Sequence, residues 1–136
     1  MKLRSLCVSI AGLVFGLGSV AYGANYFPPE HIQCKLVNGS QLSCNDFNRD
    51  YLKEHTYTAN LKETDKLFSF HSAVAYFTNQ NEWSILMTYK DTEAKNVTLR
   101  TIRTSITPDL KNGAWKRYRD EFYTCDAGYM SCVIQY

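Results

Sequence analysis

Histidine is the side chain best suited to exchange protons near neutral pH. Downstream of residue 23 the chain has three histidines, His31, His55 and His71. None belongs to a His-Glu-x-x-His motif or to another spacing typical of a metal site. His71 follows Phe70 in a segment with strand-like alternation, which places it on the face opposite that aromatic ring. The sequence therefore assigns no catalytic residue, no metal ligand and no cofactor.

A small secreted hydrolase such as a ribonuclease is the alternative that these residue types allow. His55, Glu63 and Arg100 or Arg103 would supply the histidine, carboxylate and guanidinium of that chemistry. Such residues occur in almost any chain of this size. In addition, residues 24–136 have no net charge, and a neutral domain is poorly suited to a polyanionic substrate. No Gly-x-Ser-x-Gly motif offers a different nucleophile.

The most unusual local cluster interleaves aromatic and basic residues: Trp115, Lys116, Arg117, Tyr118 and Arg119. Such side chains can stack on rings and hold carboxylates or phosphates. In the alternative interpretation, Trp115 and Tyr118 face the core. The basic side chains then face water and pair with Asp120 and Glu121. This cluster is the candidate binding surface.

The first 23 residues have the features of a secretory signal peptide. Lys2 and Arg4 precede an apolar run of about 15 residues, which is shorter than the roughly 20 that span a bilayer. Cleavage is expected between Gly23 and Ala24. The two basic residues account for the whole formal charge of +2, so residues 24–136 are formally neutral. We therefore expect export to the periplasm or beyond, no membrane span in the mature chain, and no nucleic-acid partner.

Four cysteines remain after that cleavage: Cys34, Cys44, Cys125 and Cys132. An even number in a small exported domain predicts two disulfides, and no Cys-x-x-Cys pair indicates a metal site. Local pairing of 34 with 44 and of 125 with 132 is favoured over two links that join the ends of the domain.

Asn38-Gly39-Ser40 between the segments 32–37 and 41–44 is a good hairpin signal. A three-residue loop sets Cys34 directly opposite Cys44, whereas a two-residue loop would put the two sulfurs on opposite faces. Asn45 to His55 is the one helix candidate, because Asn45 or Asp46 could cap it.

Strand-like segments follow this helix candidate. Leu67 to Phe77 and Glu82 to Lys90 form a predicted hairpin around a polar turn, and Asn96 to Thr107 is the next β-branched run. The predicted inward residues are Phe68, Phe70, Val74 and Tyr76 in the first strand and Trp83, Ile85, Met87 and Tyr89 in the second. In the third segment, the apolar residues change from one face of the strand to the other between Leu99 and Ile102, which predicts a bulge or twist.

The last segments are less regular. Trp115 to Tyr123 fits a helical stripe or a strand equally well, and Phe122 to Cys125 with Cys132 to Tyr136 predicts a closing hairpin. The chain resembles small exported domains of unknown function in Gram-negative bacteria in the pattern of residues 73–77 and 83–89, Pro108, Trp115, Tyr123-x-Cys125 and Cys132. The resemblance covers about Ile32 to Cys132 and implies no catalytic residues.

Together these patterns predict a signal peptide over residues 1–23 and one secreted domain over 24–136. The expected fold class is mainly β, either all-β or β-rich α+β. About six strands would form a small antiparallel sheet, sandwich or barrel with one short helix and two disulfides. The expected function is a non-enzymatic binding or interaction module, such as a periplasmic inhibitor or a host-directed factor. Its partner would be another protein or a surface ligand.

Overall fold

The computed structural model describes residues 24–102 and 105–136, which form eleven β-strands and contain no helix. The strands are β1 Asn25–Tyr26, β2 His31–Val37, β3 Gln41–Asn45, β4 Leu52–Tyr57, β5 Lys66–Phe77, β6 Trp83–Lys90, β7 Asn96–Thr101, β8 Thr107–Pro108, β9 Lys116–Arg119, β10 Phe122–Cys125 and β11 Ile134–Gln135. The mainly β class is confirmed. The predicted signal peptide, residues 1–23, and Arg103 lie outside the described residues.

The main sheet is antiparallel and curls into a nearly closed, barrel-like shape. Its strands follow the order β3-β2-β5-β6-β7-β4, and β10 pairs with the second half of β5 and carries β9 at its outer side. The two ends of this order, β3 and β4, approach each other without a strand ladder. Large side chains such as Phe68, Ile85, Met87, Tyr89 and Leu99 are fully buried inside.

A second sheet of three short strands, in the order β1-β11-β8, joins the two ends of the described chain. Tyr51 packs between Tyr26 and Tyr136, with ring centroids 4.9 Å and 4.6 Å apart, and so connects this small sheet to the main one. The Cys125–Cys132 disulfide makes a second connection, because β10 belongs to the main sheet and β11 follows Cys132.

The first predicted hairpin is confirmed in its register. Cys34 lies opposite Cys44, and their Cα atoms, 4.0 Å apart, are bridged by a disulfide. Asn38 and Gly39 both have positive φ, which an asparagine and a glycine adopt at the least cost. The loop therefore has the three residues that place the two sulfurs on the same face.

The helix predicted over Asn45 to His55 is not formed. Its first half is a set of turns that begins at Asp46, whose φ is +72°, and its second half is β4. Leu52 is only 1% exposed and pairs with Thr101 of β7, so extended backbone buries it in the core. Tertiary pairing thus overrides a weak local preference for helix.

A bulge in β5 makes the prediction of its inward-facing residues wrong in the second half of the strand. The predicted β5–β6 hairpin is confirmed, but the register shifts between Phe70 and Ser72. The shift turns Ala73 and Ala75 into the core and leaves Val74 and Tyr76 on the other face. By contrast, β6 buries Ile85, Met87 and Tyr89, as its alternation predicts.

The C-terminal part of the sheet also differs from the prediction. Strand β7 ends at Thr101, beyond which Ile102 is exposed and Ile106 is buried. The expected hairpin between β10 and the last residues is wrong, because β10 pairs with β5 and β9 whereas β11 pairs with β1 and β8. The disulfide between Cys125 and Cys132 therefore joins two sheets instead of two strands of one hairpin.

Candidate binding surface

The aromatic–basic cluster begins at a buried anchor. Trp115 is 8% exposed, and its indole Nε1 donates a hydrogen bond to the carbonyl of Val133 at 2.8 Å. Gly113 lies so close to the backbone carbonyl of Asp109 that an added Cβ would be 2.7 Å from that oxygen. The chain can therefore fold tightly just before the tryptophan, which fixes the start of β9.

Asp109 organises the turn that precedes this anchor. Its buried carboxylate accepts hydrogen bonds from the backbone N–H groups of Lys111 and Asn112, at 3.2 Å and 3.0 Å. The backbone of Asp109 donates to Val133, and Ala114 donates to Ser131. These bonds hold the turn against the segment before β11, so the position of β9 is set by backbone and core contacts.

The other four residues of the cluster are exposed, so the structure divides the set that the sequence grouped together. Strand β9 consists of Lys116, Arg117, Tyr118 and Arg119, and each of them is exposed. Tyr118 is 71% exposed, and Arg117 pairs with Asp120 in the following turn. Trp115 is thus a core residue, while the remaining four are accessible to a partner.

Strands β5 and β10 bring further aromatic residues to this surface. Because Ala73 and Ala75 face the core, Tyr76 points to the outside of the barrel-like sheet. Phe122 lies opposite Tyr76 in the β5–β10 register, and the two rings stack with centroids 6.4 Å apart. Tyr118 packs against Phe122 at 5.6 Å.

Arg119 completes the cluster by lying over two of these rings. Its guanidinium carbon is 5.8 Å from the ring centroid of Tyr118 and 5.3 Å from that of Phe122. Beside it runs a groove of about 380 Å³, lined by Tyr76, Phe77, Arg119, Asp120, Glu121 and Phe122. We call Tyr76, Tyr118, Arg119 and Phe122 the outer aromatic surface.

Sequence reasoning missed two of the four members of this surface. Tyr76 was expected to face the core, and Phe122 was expected in a different hairpin. The bulge that turns Tyr76 outward lies at His71, where the chain shows no glycine or proline to signal it. Arg119 and Tyr118 were identified because the basic–aromatic alternation is visible without knowledge of the fold.

The histidines are dispersed on the surface. His31 Nδ1 lies 3.0 Å from Ser69 Oγ, and its Nε2 is 3.7 Å from a carboxylate oxygen of Glu30. His55 and His71 are exposed at bulges of β4 and β5. Neither of these two imidazoles forms a hydrogen bond or ion pair with another residue in the described part of the chain.

Glu63 and Arg100 are the described residues among those proposed to assist His55 in a ribonuclease. Glu63 is exposed in the connection between β4 and β5, and Arg100 is half-buried in β7. Within residues 24–102 and 105–136, no hydrogen bond or ion pair links the side chain of either residue to that of His55. Among these described residues, polar contacts therefore do not assemble the histidine–carboxylate–guanidinium set that the alternative function requires.

A side-chain clamp closes the approach of β3 to β4. Glu54 accepts a hydrogen bond from the Cys44 N–H at 2.8 Å, and Arg49 donates to the Cys44 carbonyl at 2.6 Å. Arg49 and Glu54 also pair with each other, Nη2 to Oε2, at 2.9 Å. Burial acts to raise the pKa of Glu54, but hydrogen bonds from Arg49 and Cys44 outweigh it and hold that pKa below 4.5.

The interior of the barrel-like sheet holds a tyrosine with an altered ionisation. The Tyr89 hydroxyl donates to the carbonyl of Pro29 at 2.8 Å, and burial raises the pKa of this phenol strongly. Burial also raises the pKa of Tyr26, to about 12. Both phenols stay neutral across the physiological range, so they act as structural hydrogen-bonding groups.

The described residues contain no group of three or more His, Cys, Asp or Glu side chains that could hold a metal ion. Across the same part of the chain, no helix has the length and apolar character needed to cross a membrane. Comparison with protein-family models, curated proteins and solved structures found no match for this chain.

Proposed function

We propose that the protein is an exported, non-enzymatic binding domain that holds another protein through the outer aromatic surface. The observation that carries the proposal is the exposure of Tyr118, 71%, within a cluster of two further rings and a guanidinium. Contiguous exposed aromatic residues mark an interaction site, whereas hydrophobic residues that are exposed singly need no partner.

The composition of the surface supports a protein partner. Tyrosine, phenylalanine and arginine are the residue types that are enriched at the centres of protein interfaces. The rings of Tyr76, Phe122 and Tyr118 already support one another, so little side-chain freedom is lost when a partner packs on them. The adjoining groove of about 380 Å³ can receive a side chain of that partner.

Export is the second part of the proposal. The two disulfides are compatible with an oxidising compartment, and the predicted signal peptide would deliver the chain to one. An exported domain held by disulfides can meet partners in the periplasm or outside the cell. An inhibitor of another exported protein and a factor directed at a host are both roles of this kind.

Affinity capture with matched variants tests the proposed function. The exported, oxidised protein serves as bait for periplasmic extract and culture medium of the organism that makes it. We expect one protein to be retained by the wild type and lost with Tyr118→Ala or Arg119→Ala. Tyr57→Ala is the control, because Tyr57 is also exposed but lies on β4. A partner held equally by all four baits, or substrate turnover without a partner, would contradict the proposal.

A further inference from the structure

Strand β9 has an open edge. Within the described residues it pairs with β10 alone, and no strand lies along its outer side. In an antiparallel pair, every second residue directs its N–H and C=O away from the neighbouring strand. The segment Lys116–Arg119 therefore offers backbone donors and acceptors to solvent, and its four exposed side chains leave that edge accessible.

The contrast with the edges of β3 and β4 shows that an open edge is not general in this fold. There, the side chains of Arg49 and Glu54 occupy the backbone N–H and C=O of Cys44. No comparable side chain bonds to the outer backbone of β9 among the described residues. Edge strands left open in this way are templates for the addition of another strand.

The charge of β9 restricts what can be added. Lys116 and Arg119 have no acidic partner in the described part of the chain, whereas Arg117 is paired with Asp120. A second copy of β9 would place like charges across the new ladder, which destabilises such pairing. A strand that carries carboxylates would instead face the lysine and the arginine. The same charges that oppose self-association thus favour an acidic partner.

We propose that an extended acidic segment of the partner protein adds to β9 as a further strand of the main sheet. Backbone hydrogen bonds to the outer edge of Lys116–Arg119 supply affinity, and carboxylates next to Lys116 and Arg119 supply selectivity. Tyr118 and Phe122 lie beside Arg119 on the same face of the sheet and pack against the methylene groups of those carboxylate side chains. This inference rests on the proposed function and names the class of segment that the surface binds.

Fluorescent peptides provide the test. The probes are heptapeptides that alternate Glu with Val, Thr or Tyr, compared with the same peptides carrying Lys in place of Glu. We expect the acidic peptides to bind at least about tenfold more tightly than the basic ones. Alternate backbone nitrogens of the peptide can be methylated at either the odd or the even positions. Methylation of one of these two sets should weaken binding at least about tenfold, because that set supplies the N–H donors of the new ladder.

Charge reversal locates the site on the protein. The double variant Lys116→Glu, Arg119→Glu should prefer the basic peptides, whereas the control Lys53→Glu, Lys95→Glu should behave like the wild type. Hydrogen exchange of the complex should show new protection at the amides of β9. Absence of acidic-peptide binding, indifference to backbone methylation, or protection elsewhere would overturn strand addition. If a captured partner still depends on Tyr118 in that case, the proposed function stands and only the strand-addition mechanism fails.

Discussion

Replacement of Glu54 tests whether side chains hold the barrel-like sheet closed between β3 and β4. The Glu54 carboxylate accepts from the Cys44 N–H at 2.8 Å and pairs with Arg49 at 2.9 Å, and its side chain is 17% exposed. Glu54→Ala removes these bonds and leaves the Cys44 N–H without its protein partner. The cost is that of losing a charged hydrogen bond near the surface of the sheet.

The magnitude follows from the exposure of the two partners. Hydrogen bonds to charged groups contribute about 1.5–3 kcal/mol each, whereas solvent-exposed ion pairs contribute about 0–1 kcal/mol. Because Arg49 is more than half exposed, most of the loss comes from the backbone bond, and we expect Glu54→Ala to cost about 2 kcal/mol. For a domain of this size that corresponds to a fall in Tm of about 8 °C.

Glu54→Gln separates the charge from the hydrogen bond. The carboxamide oxygen can still accept from Cys44, so we expect a smaller loss at pH 7 of about 1 kcal/mol. The pKa of Glu54 in the folded protein is held below its ordinary value of 4.5. The extra stability of the carboxylate is therefore complete above pH 4.5 and disappears as the pH falls through the folded pKa.

Urea unfolding monitored by tryptophan fluorescence, repeated between pH 7 and pH 3, measures both effects. The control is Glu63→Gln, because Glu63 is exposed and should change stability by less than about 0.5 kcal/mol. A clamp of this kind is excluded if Glu54→Gln is as stable as the wild type at pH 7, or if the difference between their free energies of unfolding does not shrink below pH 4.5.

Three further predictions concern other parts of the molecule. Trp115→Phe should lower the free energy of unfolding by about 1–2 kcal/mol, since the bond to Val133 is lost, while partner capture is kept; capture lost in a folded variant would place Trp115 in the binding surface. Tyr89→Phe should leave the phenolate absorbance of the native protein unchanged up to pH 11, because the Tyr89 phenol of the wild type is still protonated there; a smaller phenolate absorbance in the variant would show that Tyr89 ionises normally. In a ribonuclease assay, His55→Ala should give the same rate as the wild type, and a rate that falls with this substitution would revive the hydrolase alternative.

The sequence was sufficient for those parts of the fold in which local signals agree with tertiary pairing. Asn38-Gly39 favours a tight turn, so the hairpin could be predicted, and the opposition of Cys34 and Cys44 followed for the three-residue loop that the structure contains. The alternation of β6 likewise predicted its buried face. In both cases neighbours along the chain are also neighbours in space.

Predictions failed where distant residues decide the local structure. The segment at Leu52 becomes a strand because β7 offers it a partner, and no residue near Leu52 indicates that partner. The β5 bulge at His71 moves Tyr76 from the expected core to the outer face. Tyr76 depends on that shift, and Phe122 depends on the pairing of β10 with β5. Arg119 and Tyr118 were therefore visible in the sequence, while the two rings beside them were not.

Site-specific crosslinking in living cells shows whether a protein partner covers the outer aromatic surface. Tyr118→p-benzoyl-phenylalanine places a photoreactive ring at the centre of the outer aromatic surface, and Tyr57→p-benzoyl-phenylalanine provides an exposed control on β4. We expect a covalent adduct of one protein partner at position 118 and none at position 57. The absence of an adduct at 118, or equal adducts at both positions, would contradict it.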